Sequence, residues 1–220
     1  MTQCGHPVLD RSGELVAISL GMFIVAAMFV MIRLGYKIFV IRTHFNMDDW
    51  FVLVSAVATA PAIFVNIFGT TVNGLGQDIW TLPPDKISAA IKYFWIDICL
   101  YFLDTTLTKL SIISFYIRTF PSSNVQRLLW ATFTITGAWG TAFVLVAIFQ
   151  CQPISHFWTQ WDGLQTGQCA SPDGIGWSNA ILNIVLDIWI LYIPLSQLRR
   201  LQLNGKKKIG VAIMFCLGTL

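Results

Sequence analysis

Charge is what this sequence has least of. Asp, Glu, Lys and Arg make up 11% of its 220 residues, where a soluble globular domain carries roughly 25%. With 55% apolar residues and a mean hydropathy of +0.67, the chain cannot cover its apolar area with polar surface. A bilayer is the solvent that suits it. The net charge of +3 is small, and no Lys/Arg-rich run is interleaved with aromatics or glycine, so no nucleic-acid partner is expected. The start, "MTQCGHPVLDRSGELVAISLG", lacks a basic leader and a small-residue cleavage site, so no cleaved signal peptide is expected. Lipidation signals and Asn-x-Ser/Thr acceptors are absent too.

Catalytic signatures are equally scarce. The three histidines, His6, His44 and His156, fall in three different segments, with no Cys-x-x-Cys or His-Glu-x-x-His spacing, so no metal site is expected. There is no Gly-x-Ser-x-Gly and no phosphate-binding glycine loop. "MDDWF" has two carboxylates but not the third that an Asp-Asp-x-x-Asp metal motif needs. Asp48 and Asp49 are read more plainly as acidic residues at a helix amino end, where they complement the dipole.

What the sequence does have is long apolar runs. A membrane-spanning helix needs about 20 mostly apolar residues. Five stretches qualify, at residues 15–39, 50–72, 94–117, 128–150 and 177–198, and a sixth begins at 209 and stops at 220. The expected fold is therefore all-α: one polytopic transmembrane helical bundle over residues 1–220, of a seven-helix type cut off in its sixth helix. The abrupt end suggests a fragment or a truncated product of a longer protein.

Lys and Arg in the connections set the orientation. One side holds Arg33, Lys37, Arg42, Arg118, Arg127, Arg199, Arg200, Lys206, Lys207 and Lys208; the other holds only Arg11, Lys86 and Lys92. The first side is expected to be cytoplasmic, which leaves the amino terminus and the loops 73–91 and 151–176 outside or lumenal. Trp80, Trp158, Trp161 and Trp177 lie near the outer boundaries, and "NGLGQ" and "LPPD" mark turns in the first outer loop. Cys151 and Cys169 both fall on the oxidising side. A bond between them would close a loop of about 19 residues, worth about 3 kcal/mol by chain entropy. Cys99, a turn into the third span, and Cys4 compete as partners, and spacing alone does not choose.

The informative polar groups lie inside the spans. Seven residues advance a helix almost two turns, so Asp97, Asp104, Ser111 and Arg118 share one stripe of the third span. Lys109 is five residues past Asp104, rotated by about 140°, and so must find a partner on another helix. In the fifth span Asn179, Asn183 and Asp187 follow at i, i+4, i+8. The two polar seams are expected to face a shared interior, with Asp187 or Asp49 as the partner of Lys109. A buried network that only fixes helix packing is the plainer reading; a ligand pocket or switch is the functional one.

The segments "MDDWFVLVS", "GLGQDIW", "TKLSIISFYIRTFP", "FQCQPISHFW", "GQC", "NIVLDIWILYIPLSQLRRLQL" and "KKKIGVAIMFCLG", taken in order, resemble the fungal rhodopsin-domain integral membrane family, which includes GPCR-like pathogenicity receptors and satratoxin-cluster-type membrane proteins. The resemblance implies a seven-helix bundle with the amino terminus outside. It implies that Cys151 and Cys169 are the family's loop cysteines, and that Asp49, Lys109, Asn183 and Asp187 are its recurrent intramembrane polar positions. Asp78 stands where the family often has His in "GLG-x-His-x-Trp". No cofactor is expected: retinal would need a Schiff-base lysine on a seventh helix, and Lys109 is on the third.

Three functions compete. A receptor-like sensor would bind a small apolar ligand or read a surface cue from the outer mouth, and contact a cytoplasmic signalling partner through its basic inner loops. A membrane-bound enzyme or accessory protein of secondary-metabolite biosynthesis would use Asp104 or Asp187 as a general acid. A transporter would show inverted repeats, and none is detectable.

Overall fold

A computed structural model describes residues 11–36, 39, 47–78, 82–163 and 166–200. The expected sixth span, Cys4, Cys216, His6, His44, Trp80 and the Lys206–Lys208 cluster lie outside the described residues. Among the described residues the chain is all-α apart from one small ribbon: α1 (Ser12–Gly35), α2 (Met47–Phe64), a π-helical continuation (Val65–Thr71), α3 (Pro84–Thr119), α4 (Ser123–Phe149), β1 (Cys151–Gln152), the one-turn α5 (His156–Thr159), β2 (Gln168–Cys169) and α6 (Pro172–Arg200). Among the described residues, five helices are long and apolar enough to cross a bilayer. Their outward faces are almost wholly apolar, with Met22, Phe29 and Met31 of α1 and Ile184, Ile188 and Tyr192 of α6 exposed. In water such a surface would aggregate; in lipid it is at home.

The helices run past the expected spans for local reasons. Pro84 opens α3, where its missing N–H costs nothing, Asp85 sits in the first turn and Arg118 in the last, both matched to the helix dipole. The turns carrying Lys86 and Lys92 are too polar to count as membrane, but nothing in them breaks the helix. In α2, Pro61 cannot donate to the preceding turn. Four residues later the winding loosens to the π form, where the hydroxyls of Thr70 and Thr71 donate to the Asn66 carbonyl at 2.5 and 2.9 Å. The "NGLGQ" turn follows, with Gly74 at φ +113°, a conformation open to glycine at little cost.

Helix α3 is the central rod. α2 and its π-helical continuation pack along one side of it, α4 along another, and α6 closes on α3 and α4. The α3–α4 approach depends on Gly140. A Cβ there would lie 2.1–2.7 Å from the side chain of Thr106, whose hydroxyl is tied to the Phe102 carbonyl at 2.7 Å. Gly140→Val should therefore force the two helices apart and cost about 2 kcal/mol. Gly137→Val, where a Cβ meets nothing within 4 Å, should leave the unfolding midpoint in a mixed-micelle SDS titration unchanged.

The α3–α4–α6 unit is closed at one end and open at the other. At the end bearing the α3–α4 connection, Ile113 and Tyr116 of α3, Val125 and Leu129 of α4, and Ile190 and Ile193 of α6 form a dry core. Trp189 of α6 adds a hydrogen bond to Thr132 of α4, 3.1 Å. At the opposite end, which carries the 150–171 connection, the helices part around a cavity.

Candidate functional site

The polar groups inside the bundle sort themselves by their angle around α3. The stripe of Asp97 and Asp104 faces α2. Ser55 donates to one carboxylate oxygen of Asp104 at 2.7 Å and Thr59 to the other at 2.9 Å. Ser55 and Thr108 hydroxyls lie 3.2 Å apart, and the Asn66 side chain hydrogen-bonds Asp97. Lys109, turned away from that stripe, reaches α6. Its ammonium forms an ion pair with Asp187 and donates to the Asn183 carbonyl at 3.3 Å. Of the two partners expected for Lys109, the structure chooses Asp187. Asp49 is fully buried near the start of α2. The expected shared interior of Asp104 and Asp187 is instead two networks on different sides of α3, because five residues of helix separate their attachment points, Asp104 and Lys109, by more than a third of a turn.

The burial of the ion pair is lopsided. The Lys109 side chain is 5% exposed and that of Asp187 50%. The ammonium is thus shielded by protein, with a carboxylate and a carbonyl to receive its protons, while the carboxylate sits at the edge of the helix pair.

Above this pair, toward the 150–171 connection, lies a cavity of about 400 Å³ between α3, the end of α4, α5 and α6. Phe94, Phe102 and Phe157 contribute apolar walls, and Gln150, Asn179 and Asn183 contribute amides. Sequence reasoning placed Asn179 on the right face but did not single it out, and it missed Gln150, Ser55 and Thr59. The signal for the last two was their i, i+4 spacing in "SAVAT".

The connection is built as a cover. Cys151 and Cys169 form a disulfide across an antiparallel ribbon in which they are directly paired, and Cys99 is a free, half-buried thiol. The cover is pinned to the part of α3 that projects past its apolar stretch. Trp161 donates to the Ser88 hydroxyl at 3.0 Å, while Trp95 of α3 donates to the Ala147 carbonyl of α4 at 3.0 Å and so ties those two helices together beneath the cover. The Trp95 and Trp158 rings lie 5.8 Å apart, and the Lys92 ammonium stands 5.5 Å from the Trp158 ring centre. Between these anchors the single turn of α5 presses buried Phe157 into the cavity. Among the described residues, no group of three or more His, Cys, Asp or Glu side chains is placed to hold a metal ion.

Comparison with known proteins agrees with this architecture. Satratoxin biosynthesis SC1 cluster protein 4 of Stachybotrys chartarum is 31% identical over 120 residues, 54% of this chain and 44% of its own length. Wortmanamides biosynthesis cluster protein C of Talaromyces wortmannii is 28% identical over 210 residues, 90% of this chain and 53% of its own. Receptor GIN3 of Arthrobotrys oligospora is 26% identical over 175 residues, 77% and 41% respectively. The chain thus spans about half the length, or less, of the curated relatives it matches. No solved structure matches. The fungal rhodopsin domain matches residues 32–220, from the end of α1 onward, and the chain is an integral membrane protein belonging to the fungal rhodopsin domain family.

Proposed function

We propose that this chain is the membrane-embedded sensing body of a receptor-like protein, in which a small molecule entering beneath the disulfide-bonded cover shifts α6 against α3. Asn183 carries the reading. Asn183 lines the cavity while its backbone carbonyl accepts from Lys109. An occupant that moves this turn of α6 therefore changes the setting of the ion pair directly below. The dry core farther down serves as the fulcrum. In this reading the amino terminus and the disulfide-bonded cover face outside or the lumen, and the basic connections on the opposite side meet a cytoplasmic partner. The receptor name of one relative supports the reading. The names of two others, taken from biosynthetic clusters, support a second one: a rigid membrane scaffold or accessory enzyme for an apolar metabolite.

The test uses a space-filling substitution as a surrogate occupant. Ile98, on α3, lines the cavity, and Ile98→Trp fills part of it. Spin labels at Leu145 of α4 and Trp177 of α6, both exposed, report the separation of the two helices, with Cys4, Cys99 and Cys216 replaced by serine. Sensing predicts that Ile98→Trp changes the label distance by more than about 2 Å, the scale of helix shifts in switching proteins. A distance unchanged in a protein that still folds with its disulfide leaves a rigid bundle, which the second reading requires and the first does not survive.

A further inference from the structure

We infer that the cavity beneath the disulfide-bonded cover binds an uncharged, largely hydrocarbon molecule that carries hydroxyl groups. The inference deepens the sensing reading and rests on it for the location of the site. The chemistry comes from the walls. Among the described residues that line the cavity there is no Asp, Glu, Lys, Arg or His. A charged group entering it would lose its hydration with no counter-ion to replace it, which selects against acids, amines and phosphates. The aromatic and aliphatic walls favour a hydrocarbon skeleton, and about 400 Å³ is the size of a small-molecule site.

A purely hydrocarbon occupant would leave a cost standing. The Gln150 side-chain nitrogen and the side-chain oxygens of Asn179 and Asn183 are buried and have no hydrogen-bond partner. Gln150 is 9% and Asn179 5% exposed. These three atoms ask for complementary things: two acceptors await donors, and one donor awaits an acceptor. A hydroxyl supplies both functions in one small neutral group. Asn179 and Asn183 are one turn apart on α6, about 6 Å along its axis, so the site can read two such groups at that separation, or one hydroxyl shared with Gln150. The ketone oxygen of an otherwise bare skeleton would satisfy Gln150 and neither asparagine. A lipid acyl chain would satisfy none of them.

Three matched long-chain probes test this, each bearing a diazirine and an alkyne and differing only at one end: an alcohol, a carboxylic acid and a plain hydrocarbon. The whole chain is reconstituted in phosphatidylcholine nanodiscs, irradiated and mapped by mass spectrometry. The alcohol should label the peptides holding Phe157 and Asn179 about tenfold more than the acid or the hydrocarbon, the discrimination expected when one or two buried hydrogen bonds are made or left unmade. Asn179→Leu should bring the alcohol down to the level of the hydrocarbon without lowering the hydrocarbon itself. Gln150→Leu serves if the first variant does not fold. Equal labelling by alcohol and hydrocarbon, a preference for the acid, or adducts confined to the lipid-facing α1 would each overturn the inference. Selective labelling of a protein whose α6 does not move would uphold it and remove the sensing role instead.

Discussion

Replacing Lys109 by methionine is expected to destabilise the bundle by about 3 kcal/mol, the scale of leaving a carboxylate in the membrane without its cation. The loss falls on Asp187, whose cationic partner among the described residues is the Lys109 ammonium. Asp187→Leu alone should cost a comparable amount, because among the described residues the nearly buried ammonium then keeps the Asn183 carbonyl and no carboxylate. The double variant Lys109→Met, Asp187→Leu should return to within about 1 kcal/mol of the parent, since apolar side chains of similar volume need no partner there. An SDS titration read by tryptophan fluorescence gives all three values. Additive losses in the double variant would mean that the pair does not act as a unit. The Asp104 network should not respond, because its donors come from α2.

Removing the disulfide through Cys151→Ala with Cys169→Ala should cost about 3 kcal/mol. The bond closes a loop with a sequence separation of 18, and freeing it returns that much chain entropy to the unfolded state. The functional loss should exceed the thermal one. Phe157 is carried by a single turn of helix between the two cysteines, and one turn has no stability of its own. Photolabelling of the Asn179 peptide should therefore fall together with the unfolding midpoint. Cys99→Ser, which removes a free thiol, should change neither.

Which groups would lie together was legible in the sequence to the extent that one helix decides it. The seven-residue step put Asp97 and Asp104 on a common face, and the five-residue step turned Lys109 away from it; the structure has both. Hydropathy found the five long helices but not their ends, because a helix stops where its hydrogen bonding stops and a hydropathy run stops at the headgroups. What a single helix cannot reveal is which neighbour it faces. Asp104 and Asp187 each had to find donors somewhere, and only packing sent the first to α2 and the second to Lys109. The donors of Asp104 were also disguised. Serine and threonine in apolar helices usually bond the preceding turn, and the Thr59 hydroxyl also lies 2.9 Å from the Ser55 carbonyl, so its one proton is shared between that carbonyl and Asp104. The cavity had no local signature at all, since it arises from the splay of three helices. Its amides could be read as a face of α6 but not as the wall of a site. The cysteine spacing left several pairings open, and the ribbon registering Cys151 against Cys169 closes that choice.

The placement of partners around α3 also has a temporal side. Its most apolar stretch has a mean hydropathy of 1.4, against 2.7 for α1, so it is the least willing of the five to leave the translocon by itself. The hydroxyls that receive Asp104 precede it by 45 and 49 residues and are already in the membrane when α3 emerges. Asp187 follows Lys109 by 78 residues. At ribosomal speeds of about 5–20 residues per second, Lys109 waits roughly 4–16 s for its counter-ion. During that interval α3 is a half-satisfied guest that α2 must hold in place, and the arrival of α6 completes its insertion.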